Sequence, residues 1–98
     1  ISDDTITTVE KTIDTLEEEL SPITFFILPG GSLESGQLHL SRSIARRSEI
    51  SVIALSKAEE INPLTIIYLN RLSDLFFVMA RTANKRLGIP DNAWKRTH

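Results

Sequence analysis

Apolar residues recur along the first twenty positions at Ile6, Val9, Ile13, Leu16 and Leu20, and spacings of 3, 4, 3 and 4 place them on one helical stripe. Ser2, Asp3 and Asp4 supply capping oxygens ahead of it, so the pattern predicts an amphipathic helix over roughly residues 4–20. Ser21-Pro22 ends that helix, because a proline disfavours helical geometry in the residue before it. The run Ile23-Thr24-Phe25-Phe26-Ile27-Leu28, bounded by Pro29-Gly30-Gly31, reads as an extended, buried connector. Ser32 can cap a second helix that carries Glu34 in its first turn and meets no breaker until Leu55 or Lys57. Its stripe, Leu38, Ser41, Ala45, Ser48, Val52 and Leu55, is heptad-like and mostly small, which permits close helix contact. Asn62-Pro63 is a cap with proline at the first helical position, and the third helix runs to Leu87, where Gly88-Ile89-Pro90 stops it.

The third helix is apolar around most of its circumference: Leu64, Ile66, Ile67, Leu69, Leu72, Leu75, Phe76, Phe77, Val78, Met79, Ala80 and Ala83. Two neighbouring helices cannot cover that much surface, so the remainder must meet further helices from the same protein or from other subunits. The fold class expected is all-α, an antiparallel helical bundle with three helices in residues 1–98, which form a single region too short for a second domain.

Composition narrows the chemistry. At 41% hydrophobic and 24% charged residues the chain is too apolar for disorder. Without cysteine, and with His39 and His98 its only histidines, it offers neither a disulfide framework nor a zinc cluster, and no metal ligand set is assigned. Asn70, Arg71, Ser73, Asp74 and Arg81 interrupt the most apolar stretch, so no membrane span is expected, and the N-terminus lacks a signal pattern. A soluble protein of the cytoplasm is the expectation. The first twenty residues hold seven acids against Lys11 alone, whereas the remainder holds ten bases against six acids. That balance argues against a duplex nucleic-acid binder but leaves room for a local anion site.

Several polar groups sit where helix packing should not tolerate them. Arg42, Arg46 and Glu49 share one face of the second helix, with Arg47 about 100° away. They fit either a solvated basic face with Glu49 as counterion or a guanidinium pair that awaits a carboxylate or phosphate. Asn70 and Asp74 lie one turn apart in the most apolar helix, where an unpaired amide or carboxylate costs about 1–3 kcal/mol. Either Asp74 pairs with Arg71 or with an arginine of the second helix, or the two residues form a ladder that faces a ligand. His39 fits a packed, hydrogen-bonded core histidine, since no acid or nucleophile lies at helical spacing from it. Pro29-Gly30-Gly31-Ser32 lacks the lysine and strand of a P-loop and reads as a turn with a cap.

Taken together, Phe26-Ile27-Leu28-Pro29-Gly30-Gly31-Ser32, Leu38-His39-Leu40-Ser41-Arg42, Arg46-Arg47-Ser48-Glu49 and Leu69-Asn70-Arg71-Leu72-Ser73-Asp74-Leu75-Phe76 resemble the C-terminal half of the PduO-type ATP:cob(I)alamin adenosyltransferases. The resemblance runs from about Thr5 to Trp94-Lys95. It implies a five-helix bundle, assembled as a homotrimer with active sites between subunits, that moves the 5'-deoxyadenosyl group of ATP to the cobalt of cob(I)alamin and releases triphosphate. ATP, cobalamin and Mg2+ are the implied ligands. By the same resemblance Arg42 pairs with an acid across the subunit interface, Arg46, Glu49 and Asn70 belong to the ATP site, and Asp74 supports that site. Phe26 matches an aromatic position beneath the corrin, where an apolar ring excludes the lower axial ligand.

Two departures stand out. Ser48 and Ile50 occupy positions where the family commonly has Ala and Arg, which removes one basic contact. The family's N-terminal half, with its Thr-rich, Gly-Asp-containing phosphate loop, is not in this sequence. Two expectations follow: a piece of a longer enzyme, or a helical oligomerisation module that keeps the fold without turnover.

Overall fold

The computed structural model describes residues 1–21 and 30–91, and the expected connector around Phe26 and the Trp94-Lys95 tail lie outside the described residues. Three helices follow in order: α1 (Asp3–Glu17), α2 (Leu33–Ser56) and α3 (Pro63–Arg86). The caps are those expected from sequence. Ser2 Oγ accepts from Thr5 N at 3.4 Å, Ser32 Oγ from Ser35 N at 3.1 Å and Asn62 Oδ1 from Leu64 N at 3.0 Å. At the end of α3, Gly88 takes a φ of 77°, its N–H reaches Lys85 O at 3.0 Å, and Ile89 N reaches Asn84 O at 2.8 Å. That pairing satisfies the last carbonyls of the helix.

α1 ends three residues before the sequence suggests. Glu17, Glu18 and Glu19 crowd a helix C-terminus whose partial charge is already negative, and the chain passes into turns through Leu20. Arg86 of α3 relieves part of this, meeting both carboxylate oxygens of Glu19 at 3.2 and 2.9 Å.

α3 is the central element: α1 and α2 each pack on it and do not meet one another. Ile6 and Ile13 of α1, Ala45 of α2 and Val78 and Ala80 of α3 are buried between them. At about 1.5 Å per residue the 24 residues of α3 span about 36 Å. By length and composition this helix is apolar enough to cross a membrane, which corrects the expectation that its polar residues leave it short. Averaged over a window, its Ile, Leu and Phe residues outweigh Asn70, Arg71 and Asp74. Its setting is nevertheless that of a bundle's centre, with a helix on either flank and buried polar residues bonded to both neighbouring loops.

With two neighbours that do not touch, α3 keeps two open edges. Along one, Leu75, Met79 and Ala83 floor a trough of about 500 Å³ whose walls are Thr12 and Leu16 of α1 and Leu38 of α2. The apolar surface continues along α2 through a shallower cleft under Ile44, floored by Leu69, Leu72 and Phe76. The other edge carries Ile67, Asn70 and Asp74.

Candidate functional site

The polar edge is built by helix register. Asn70, Asp74, Phe77 and Arg81 recur at spacings of 4, 3 and 4 on α3, opposite the face of α2 that presents Arg42, Arg46 and Glu49. Glu49 and Asn70 meet across the two helices, Asn70 Nδ2 donating to Glu49 Oε2 at 3.4 Å. Arg71 turns to the other side of Asn70, donating from Nη1 to Asn70 Oδ1 at 2.7 Å while its Nε lies 3.5 Å from Glu10. Glu49 therefore forms no ion pair with Arg42 or Arg46, and of the two readings of this face the solvated one loses its counterion. Arg46 is exposed.

Asp74 differs from both structural expectations for it. Arg71 and the α2 arginines all leave it unpaired among the described residues, and it is exposed rather than buried. The reason is geometric: α1 and α2 flank α3 without closing over this edge. An exposed carboxylate needs no internal partner, so its setting lacks the burial cost that sequence alone assigned to it.

Arg42 has no carboxylate partner among the described residues and instead lies over an aromatic face, its Cζ 5.0 Å from the Phe77 ring centroid. His39, one turn before Arg42, meets the same ring edge-on, with centroids 6.0 Å apart and planes at 67°. His39 is 7% exposed, packed as expected, but its buried Nδ1 has no hydrogen-bond partner among the described residues, which corrects the hydrogen-bonded reading. Burial first, and the neighbouring Arg42 charge second, push the His39 pKa below its ordinary value, so the ring is neutral at pH 7.

Sequence reasoning missed two buried polar residues one turn apart on α3. Arg81 donates from Nη2 to Ser21 O at 2.8 Å and forms a fork with Asp91, Nη2 to Oδ2 at 2.8 Å and Nε to Oδ1 at 3.3 Å. Asn84 donates to Gly30 O at 2.8 Å and Ser35 Oγ at 3.1 Å, and accepts from Ser32 Oγ at 2.6 Å. Gly31 sits against this amide with a φ of 99°, and a Cβ there would come within 2.8 Å of Asn84 Nδ2, so a side chain at this position would be both strained and crowded. The available signal was an arginine and an asparagine at helical spacing inside an apolar stretch, each of which requires a partner.

A long central helix with one polar open edge, lined by arginines that have no carboxylate partner among the described residues, defines a helical-bundle protein with an edge whose chemistry suits an anion. The comparisons with known proteins make this specific. The family model for cobalamin adenosyltransferase matches residues 1–83, and the chain belongs to that family. The corrinoid adenosyltransferase of Bacillus subtilis (strain 168) is 43% identical over 97 residues, 99% of this chain and 50% of the relative. The cobalamin adenosyltransferase of Cupriavidus metallidurans is 48% identical over 71 residues, 72% of this chain and 39% of the relative. Among solved structures, a variant of a PduO-type ATP:corrinoid adenosyltransferase from Lactobacillus reuteri, complexed with cobalamin and ATP, superposes with a TM-score of 0.93 at 34% identity. It is covered over 53% of its length by the whole of this chain. The chain thus spans about half the length of the relatives it matches.

Proposed function

We propose that residues 1–98 are the corrinoid-side and partial ATP-side half of an enzyme that adenosylates cob(I)alamin, working between subunits of a homotrimer in the cytoplasm. The cobalt(I) lone pair forms the bond to C5' of ATP, the C5'–O bond breaks, and triphosphate leaves with the electron pair. No protein base is required, since the cobalt is itself the nucleophile. The protein's part is to align the two reactants and to stabilise charge on the leaving triphosphate.

In this reading Arg46, Glu49 and Asn70 bind ATP, Asp74 supports them, and Arg42 pairs with an acid of the adjacent subunit. Phe26, which the resemblance assigns to the corrin side, lies outside the described residues. Mg2+ would arrive with the phosphates, which need only one or two protein carboxylates beside them, and Glu49 and Asp74 are the carboxylates on this edge. The trough over Leu75 and Met79 would be closed by helices of the other half of the protein, completing five. The observation that carries the proposal is the meeting of Glu49 with Asn70 at 3.4 Å beside two arginines that no carboxylate among the described residues neutralises.

The test is to supply ATP and chemically reduced cob(I)alamin to the complete protein and follow adenosylcobalamin by its absorption and triphosphate by chromatography. Product without triphosphate, or no product, overturns the proposal. The half-length match also supports a second reading, a helical oligomerisation module without turnover. Intact mass of the protein from its natural source separates the two, since a mass near twice 11.0 kDa favours the enzyme.

A further inference from the structure

Arg42 is half-buried between α2 and α3 and is restrained in an unusual way for a cation. A carboxylate partner would hold it by consuming its N–H donors and its charge. The Phe77 face, 5.0 Å below Cζ, holds it through the ring quadrupole and, among the described residues, leaves all five donors in the guanidinium plane free. Phe77 is itself fixed from the side by His39, whose ring meets it edge-on at 6.0 Å. His39 is buried with Nδ1 unpartnered, a cost that a side chain with no role beyond packing would avoid by being leucine or methionine.

We infer that Phe77 and His39 are positioning residues for Arg42: together they orient its guanidinium with every donor unspent, ready to take an oxyanion from outside this chain bidentately. The inference rests on the adenosyltransferase reading for the identity of the reaction, but the stack itself lies within residues 39–77 and can be examined apart from turnover. A neutral His39 is part of the device, because an imidazolium would add a second cation beside Arg42. The charged groups around the stack are Arg42 and Arg46 on α2 and, on the row of α3 that carries Phe77, Asp74 and Arg81.

The experiment has two arms. In the first, proton NMR of the complete protein, with arginine isotope-labelled, reads the Arg42 side-chain protons, which a ring face shifts upfield. The shift should vanish in Phe77→Leu and persist in Phe77→Tyr, and its absence from the wild-type protein overturns the inference whatever the enzyme does. In the second, the complete protein is assayed. Phe77→Leu should lower kcat/KM about tenfold, as expected for loss of a desolvated cation–π contact, and Phe77→Tyr should restore most of it. In an Arg42→Lys background Phe77→Leu should cost far less, because the residue acts through Arg42. An undiminished tenfold loss in that background overturns the positioning role and returns Phe77 to packing. If the wild-type protein forms no adenosylcobalamin, the proposed function falls while the first arm still decides the stack.

Discussion

The two open edges of α3 sit on one helix and ask for different things. Along the trough edge, Leu75, Met79 and Ala83 present apolar surface whose burial is worth about 25 cal/mol per Å², and any helix of suitable shape can supply it. On the polar edge, Asn70 reaches Glu49, Arg42 rests on a ring, and Arg46 and Asp74 carry charge without a partner among the described residues. Surface of the first kind drives assembly without caring for chemical detail, whereas the second kind is specific and contributes little to stability until a ligand arrives. Neighbouring residues Asp74 and Leu75 fall on opposite sides of this division.

The largest effect should come from the polar edge. Arg42→Lys keeps the charge but loses the planar fork, and adenosyltransfer by the complete protein should fall by roughly a hundredfold, the worth of a charge-assisted bidentate contact. Turnover equal to wild type would remove Arg42 from the site. Leu75→Ala should instead act on folding, lowering the unfolding free energy of the complete protein by about 2–3 kcal/mol in urea titrations, with activity per folded molecule retained. Its neighbour supplies the contrast: Asp74→Ala should change stability by less than about 0.5 kcal/mol while reducing activity. If both substitutions hit the same property, the division between edges is wrong.

Asn70→Ala should raise the KM for ATP about tenfold and leave the melting temperature nearly unchanged, since Asn70 is only part-buried. A large drop in melting temperature with an unaltered KM would make it a structural amide. The smallest effect concerns His39. Its folded pKa is depressed, so the folded state binds the proton less readily than the unfolded chain does. Its contribution to stability is intact above the unfolded value of about 6.5 and is lost as pH falls from there through the lower folded value. Between pH 7 and pH 5.5 the wild-type chain should therefore lose more stability than His39→Gln, compared by urea unfolding at each pH. Equal losses would mean that His39 titrates as it does in the unfolded chain.

What the sequence disclosed was local. Ser2, Ser32, Asn62-Pro63 and Gly88 each act within a few residues of themselves, so the helix limits could be read directly from their chemistry. The surplus apolar surface of α3 was equally legible, because it follows from counting residues around a helix. Arg81 and Asn84 were not, since their partners Ser21 and Gly30 lie 60 and 54 residues away in the chain. The exposure of Asp74 was hidden for a related reason: register places it on a face, but only the positions of α1 and α2 decide whether that face is covered. The pairing of Glu49 with Asn70 needed the same tertiary information.

The bonds of Arg81 and Asn84 also bear on how much the stretch between Ser21 and Gly30 can change. Its two ends are fastened to α3 one helical turn apart, so its span is fixed by the helix and not by its own sequence. Arg81→Leu or Asn84→Leu would therefore free one of these two ends, so a change within α3 would act on a part of the chain more than fifty residues away.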